Sequence, residues 1–281
     1  MTIWVVGSGG LLGSAFCKAY PGKVIKTVRG QVDISDLDSV YRFIKKNPKI
    51  TRILNCAAFS LVDLAETNRL EAKRANAIGP ENLGKIAQEM EIPLIHISTD
   101  YVFPGTGKTP LKEEDLTGPV NYYGETKLEG EERLMAVCPS SCVIRTSWIF
   151  GEGGKNFVAN LWQMLQQKEE ILLSDDQWGR PTYAPDLACA IFQMFGRSGI
   201  YHYANKGIAT KFSFGVAMKE VMEKKGHCLG VKRLSSVSSS VFPSPCKRPV
   251  YSVFDTSKIE QILSIRSWQE ALYEFCEQRK E

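Results

Sequence analysis

Histidine is scarce in this sequence: His96, His202 and His227 are the only three among 281 residues, and they lie far apart. A zinc site needs clustered nitrogen or sulfur ligands, so no metal site is read from the chain. The eight cysteines include no C-x-x-C pair, and Cys138 and Cys142 have Pro139 between them and no histidine beside them. That is far below the density of a disulfide scaffold, so free and mostly buried thiols in a reducing compartment are expected. Long apolar runs are missing too. The run at residues 3–6 falls far short of the ~20 residues a membrane span needs. With no basic leader and no A-x-A site near the start, no secretory signal is expected. Charge of one sign is not in excess: 35 basic against 31 acidic residues leave +4, mixed along the chain. That balance points away from nucleic acid and membrane surfaces as partners. No internal repeat or low-complexity tract stands out. What remains, at 43% hydrophobic and 23% charged, is the composition of a soluble globular protein, with one large domain or two small ones and a cytoplasmic location as the expectation.

The first half alternates strand and helix signals. An apolar strand at residues 3–6 meets a glycine-rich turn and a helical stretch to Tyr20, and residues 23–28 read as a second strand. Asp36 can cap a helix with Val40, Phe43 and Ile44 on one face, and residues 52–56 form a third strand. Leu83, Ile86, Ala87 and Met90 make a helical stripe before a buried strand at residues 93–98. A helix at residues 122–137 leads to a fifth strand at 142–147. Repeated β-α-β units predict an α/β fold: a doubly wound parallel (Rossmann) sheet over residues 1–150. Residues 151–281 are expected to form a smaller, mainly substrate-binding region, with some segments returning to the sheet. Helices are expected at residues 157–167, 187–195, 212–224 and 268–278, and an irregular connection at the Ser- and Pro-rich residues 234–249.

Gly7, Gly10 and Gly13 form G-x-x-G-x-x-G at the end of a strand and the mouth of a helix, with Leu11 and Leu12 between the last two. Glycine there permits a tight turn and lets the backbone approach a pyrophosphate, whose charge a helix N-terminus favours. The spacing departs from G-x-G-x-x-G, and a structural turn would use the same residues. The strand-turn-helix context favours a dinucleotide. At the end of the second strand, where a carboxylate would grip a free 2′-hydroxyl, the chain reads Lys26-Thr27-Val28-Arg29-Gly30. Arg29 is either a solvated surface residue or a partner for a 2′-phosphate. On the second reading NADPH is preferred, with NADH still accepted.

Tyr123 and Lys127, four apart in Y-G-E-T-K, share one helix face. A phenol with an ordinary pKa near ~10 is a poor acid at neutral pH, and a neighbouring cation is expected to lower it. Such pairs also arise as packing neighbours. Following a dinucleotide loop and four strands, this one points to acid–base chemistry.

With these segments in place, the chain resembles the extended short-chain dehydrogenases/reductases, and within them the dTDP-4-dehydrorhamnose reductases. The likeness runs through Asn55-Cys56-Ala57-Ala58, residues 62–66 and 97–103, Tyr123 to Lys127, Arg145-Thr146-Ser147-Trp148, Asn156-Phe157, residues 179–184 and Arg248-Pro249. It implies reduction of the 4-keto group of a dTDP-linked deoxysugar, with Thr99, Tyr123 and Lys127 as the catalytic trio. It also implies that Asp33-Ile34 and Ala57-Ala58 flank the adenosine half of the cofactor. Thr99, Asp100 and Tyr101 would then face the sugar with Trp148 beside it, unless Trp148 is core packing. Asp63 either reaches the substrate or caps the following helix, and Asn156 and Arg180 are polar contacts to the nucleotide diphosphate. Arg248 can serve the same end or face solvent, and is not counted among the site residues. Phe59 stands where relatives often carry Tyr or His and removes one polar group near the cofactor. Magnesium, which some relatives hold with carboxylates, is not carried over, because Pro185 and then Asp186 follow in the relevant segment.

A dehydratase would need a second acid after Thr99-Asp100, where this chain has Tyr101. An epimerase shares the motifs and is separated by a tightly retained cofactor. A non-catalytic regulatory subunit like that of methionine adenosyltransferase would not need Trp148 or the 179–184 segment. A nucleotide-sugar substrate and a monomer or homodimer are the partners expected.

Overall fold

The computed structural model describes residues 1–153 and 156–279. Strand β1 (Thr2–Val6) is buried throughout, and its side chains alternate between two cores. Ile3 and Val5 join Phe16 and Leu187 on one side, while Trp4 and Val6 join Val40, Ile44 and Leu83 on the other. Burial on both faces is what a central parallel strand requires. Helix α1 (Leu11–Ala19) leads to β2 (Lys23–Thr27). Helix α2 (Leu37–Lys46), capped by the Asp36 carboxylate accepting from Asp38 N–H, leads to β3 (Arg52–Asn55). Two short helices, α3 (Val62–Ala65) and α4 (Arg69–Lys73), and a π-helical turn (Arg74–Ile78) run into α5 (Gly79–Glu89). Then follow β4 (Leu94–Thr99), α6 (Tyr122–Val137) and β5 (Cys142–Thr146).

The second half contributes β6 (Ile149–Phe150), α7 (Phe157–Gln167), β7 (Glu170–Ser174) and β8 (Thr182–Tyr183). After these come α8 (Ala184–Met194), β9 (Gly199–Tyr203), α9 (Lys211–Lys224), β10 (Arg233–Val237), α10 (Ser257–Glu260) and α11 (Trp268–Gln278). Six strands form one parallel sheet in the order β2-β1-β3-β4-β5-β9, with α1 and α8 on one face and α2, α5 and α6 on the other. This is the doubly wound fold read from the sequence. A third core built on Phe150, Leu161, Phe214 and Phe275 holds the second half together.

One segment departs from expectation. Residues 233–237, with 234–237 read from the sequence as part of an irregular connection, pair in parallel with β7. Ser235 and Ser236 carry little strand signal of their own, and it is the β7 backbone that supplies the ladder partners. All eight cysteines are free, but only four are buried, and Cys189 and Cys228 are exposed. No helix among the described residues is long and apolar enough to cross a membrane.

Chain direction around the sheet reverses between β1 and β3. In such folds ligands bind at the carboxyl ends of the strands at this switch point. Gly7, Ala57 and Thr99 sit at or just beyond those ends.

Candidate active site

The turn after β1 is tight because two glycines leave no room for a side chain. Gly7 has φ +77°, and a Cβ there would stand 2.6 Å from Ala57 N, while one on Gly13 would collide with the Gly7 carbonyl. Gly10 caps α1 without a side chain, so the helix's first amides have no side-chain acceptor and begin a cleft of about 810 Å³. Every residue assigned from sequence to the cofactor lines this cleft: Gly7, Gly10, Leu11, Leu12, Gly13, Arg29, Asp33, Ile34, Ala57, Ala58, Tyr123 and Lys127. Two charges that sequence reading missed stand at its rim. Glu71 takes both Arg29 Nη1 and Nη2 at 3.1 Å, and Arg74 pairs with Asp33 at 3.1 Å. Hydrogen bonds from Ser35, and then the Arg74 guanidinium, hold the Asp33 carboxyl below its usual range. A glycine cradle, free helix amides and a cation at the end of β2 suit a dinucleotide.

A second cavity, of about 530 Å³, shares Ser60, Ser98, Tyr123 and Ile149 with the first. Thr99, the last residue of β4, turns the chain into a 3₁₀ turn: its Oγ1 accepts from Tyr101 N–H (3.2 Å) and donates to Asp100 Oδ1 (3.1 Å). Asp100 is buried, its Oδ2 has no partner, and burial pushes its carboxyl up to about 6. Across the cavity Trp148 adopts φ +46°, a strained conformation for a bulky residue. Its ring occupies the space a Cβ at Gly179 would need, 2.7 Å from the nearest ring atom. Lys211 Nζ lies 3.6 Å from the Trp148 ring centroid and 4.3 Å from that of Phe157. Burial brings this ammonium down to about 7. Lys211, Phe157, Gln177 and Arg248 also line a third cavity of about 870 Å³, so the two spaces adjoin at these side chains.

The buried carboxyl has a measurable consequence. A folded value of about 6 against an ordinary 3.8 means Asp100 costs nothing while protonated and progressively destabilises the fold as the pH rises from about 4 to 6. Above pH 6 the cost is constant. Asp100→Asn is expected to raise stability by about 1–3 kcal/mol at pH 8 and by little at pH 4. Urea unfolding at the two pH values checks this; an equal effect at both would refute the assignment of the strain to the charge.

Several sequence expectations need correction. Tyr123 is not lowered by Lys127. Burial pushes its phenol up to about 12, only partly offset by the Thr99 hydroxyl. Lys127 Nζ instead lies against His96 Nε2 (3.3 Å) and the Ile97 carbonyl (2.7 Å). Arg180 lines neither of the two cavities, and its Nη1 donates to Thr256 Oγ1 (2.9 Å). Asn156 caps α7, accepting from Ala159 N–H, and borders the dinucleotide cleft rather than the second cavity. Asp63 is neither cap nor cavity lining. The N-cap of α3 is Leu61, and Asp63 accepts from Arg248 Nη2 (2.9 Å), Ser244 and Cys246. Asp100, Tyr101, Thr99 and Trp148 do line the second cavity, Tyr101 edge-on to Tyr123 at 5.7 Å between ring centroids. Lys211 was missed, and nothing local marks it: it is the first residue of a helix that turns Phe214, Met218 and Met222 to the core, after the Thr210 capping box.

The family model described as RmlD substrate binding domain matches residues 1–280. A dTDP-4-dehydrorhamnose reductase of Mycolicibacterium smegmatis is 36% identical over 280 residues, covering 96% of this chain and 83% of that protein. The spore coat polysaccharide biosynthesis protein SpsK of Bacillus subtilis is 35% identical, covering 99% of this chain and 97% of that one. Among solved structures, a dTDP-4-dehydrorhamnose reductase of Clostridium acetobutylicum aligns with TM-score 0.93 at 33% identity, over 99% of each chain. One from Bacillus anthracis, in complex with NADP, aligns with TM-score 0.92 at 29% identity, again over 99% of each chain.

Proposed function

Since the chain belongs to the dTDP-4-dehydrorhamnose reductase family, we propose that it reduces the 4-keto group of dTDP-4-dehydro-L-rhamnose to dTDP-L-rhamnose. NADPH is the reductant, and the product serves surface polysaccharide. The observation that carries this reading is Tyr123, which lines both the dinucleotide cleft and the cavity holding Thr99 and Asp100. When bound, the reduced nicotinamide supplies the hydride for C4 of the sugar.

The chain's own residues do the rest. The first-turn amides of α1 and the glycine turn hold the pyrophosphate, Asp33-Ile34 and Ala57-Ala58 flank the adenosine, and Lys127 holds the nicotinamide ribose. In the second cavity, Thr99 Oγ1 turns its proton from Asp100 Oδ1 to the 4-keto oxygen, and Tyr123, whose high pKa keeps its phenol protonated at neutral pH, gives that oxygen its proton. The hydride and this proton complete the alcohol, and the phenolate recovers a proton from solvent. Asp100 Oδ2, buried without a partner, accepts from a sugar hydroxyl. Trp148 offers its face to the ring, and Lys211 with Arg248 meets the diphosphate where the second and third cavities adjoin. We take residues 1–150 as the dinucleotide unit and residues 151–281 as mainly the substrate unit, acting in the cytoplasm as a monomer or homodimer.

The direct test is NADPH consumption with dTDP-4-dehydro-L-rhamnose, its C5 epimer and the UDP analogue. Stoichiometric oxidation with the first substrate is expected. Interconversion of sugars without net oxidation would replace the reading by an epimerase.

Cofactor choice turns on Arg29. A 2′-phosphate must displace Glu71 from its guanidinium, and both side chains are more than half exposed. Glu71→Gln is therefore expected to tighten NADPH by about three- to fivefold and to leave NADH unchanged, the scale of one exposed ion pair. Fluorescence titration with both cofactors measures it. Equal changes for the two would exclude Arg29 as the 2′-phosphate contact.

A further inference from the structure

Behind α6, a single hydrogen-bonded chain runs from the dinucleotide cleft to Lys127 and into the sheet. Ala57 N–H donates to Asn55 Oδ1 at 3.0 Å. Asn55 Nδ2 lies 3.0 Å from His96 Nδ1, His96 Nε2 lies 3.3 Å from Lys127 Nζ, and Nζ donates to the Ile97 carbonyl at 2.7 Å. Asn55 and His96 are fully buried and Lys127 is 1% exposed.

The direction of this chain follows from donor and acceptor counting. A backbone amide can only donate, so it fixes the Asn55 side chain with its oxygen toward Ala57 and its NH₂ toward His96. An NH₂ group can only donate, so His96 Nδ1 must accept. A neutral imidazole then carries its proton on Nε2, aimed at Lys127. An ammonium has three donors and no acceptor, and would set donor against donor at 3.3 Å. A neutral amine resolves the conflict: its lone pair accepts from Nε2–H while one of its hydrogens reaches Ile97. An imidazolium at His96 would lose the Asn55 bond and add a second buried charge.

We propose that His96 is a positioning residue for Lys127: this contact favours the neutral amine over the ammonium, and a dinucleotide that engages Lys127 draws it off His96, with uptake of a proton at pH values where the amine is neutral. The surrounding groups agree with that direction. Burial brings Lys127 down to about 8, against the pull of Glu131 on the same helix and of Cys56 after β3. Glu131 is engaged by Arg145. Burial pushes the Cys56 thiol up and holds His96 well below its usual value, and Tyr123 one turn away is raised, so all three stay neutral. The inference rests on the proposed function only in taking a dinucleotide as the occupant of the cleft.

Two measurements test it, neither using turnover. Long-range proton–nitrogen NMR of the imidazoles is tractable with three histidines, the His96 signals being those lost in His96→Gln. The expected pattern is a protonated Nε2 and a bare Nδ1 from about pH 6 to 9. Calorimetry of NADP⁺ binding in buffers of differing ionisation enthalpy should show uptake approaching one proton per site at pH 9 and about a tenth of one at pH 7. The dissociation constant should rise about fivefold from pH 8 to 9. Lys127→Met should abolish both effects. His96→Leu should at least halve the uptake at pH 9, and His96→Gln, whose amide can repeat the same donor direction, should restore it. A proton on Nδ1, no uptake by wild type at pH 9, uptake surviving in Lys127→Met, or His96→Leu matching wild type would each overturn the proposal. NADP⁺ binding with the expected uptake but no reduction of the keto sugar would leave it standing and remove the reductase reading instead.

Discussion

Tyr123→Phe is expected to lower turnover by roughly 10²–10⁴-fold, the usual cost of removing a general acid. That is about 3–5 kcal/mol of barrier. NADPH binding should stay within about twofold, because phenylalanine keeps the ring that packs edge-on to Tyr101 and loses only the hydroxyl at the junction of the two cavities. Since burial holds the phenol near 12, the group is in its proton-donating form throughout the neutral range. Steady-state kinetics with a parallel binding titration decides it. A variant keeping more than a tenth of wild-type turnover would remove Tyr123 as the proton donor.

The second large effect is on stability. Tyr123, Lys127 and Glu131 lie at successive i, i+4 positions of α6, so one stripe of the helix faces the site and the sheet. Glu131 meets Arg145 of β5 through three contacts of 2.7–3.1 Å, the two side chains being 2% and 3% exposed. The same guanidinium lies 5.0 Å from the Phe103 ring centroid. Removing one partner leaves an uncompensated buried charge, so Glu131→Leu is expected to cost about 3–5 kcal/mol. The double variant Glu131→Leu with Arg145→Met should recover most of that loss, because a volume-matched apolar pair carries no desolvation penalty. Urea unfolding of the two variants and the wild type measures both. A loss under about 1 kcal/mol for the single variant would mean that water reaches Arg145.

The glycine turn was readable because its requirement is local. Gly7 and Gly13 are demanded by a turn between one strand and the next helix, and the same residues line the cleft. The helix at residues 122–137 was equally legible, since its Tyr123–Lys127 spacing lies within one helix. Asp63 was not. Its partner Arg248 is 185 residues away, and no helix-capping rule anticipates such a pairing. The strand at 233–237 escaped for the same reason, its ladder partner being β7.

By itself the sequence determined the alternation of strands and helices in the first half, the glycine-rich turn, and the presence of a phenol and an amine on one helix face. These depend on neighbours within about one or two turns of chain, where backbone sterics and periodicity act. Only the tertiary structure decided the electrical state of those groups. It half-buried Tyr123 and raised its pKa, turned Lys127 toward His96, seated Lys211 on Trp148, and faced Arg29 with Glu71. Desolvation and long-range pairing depend on which distant segments close over a side chain, and that is settled by packing rather than by local pattern.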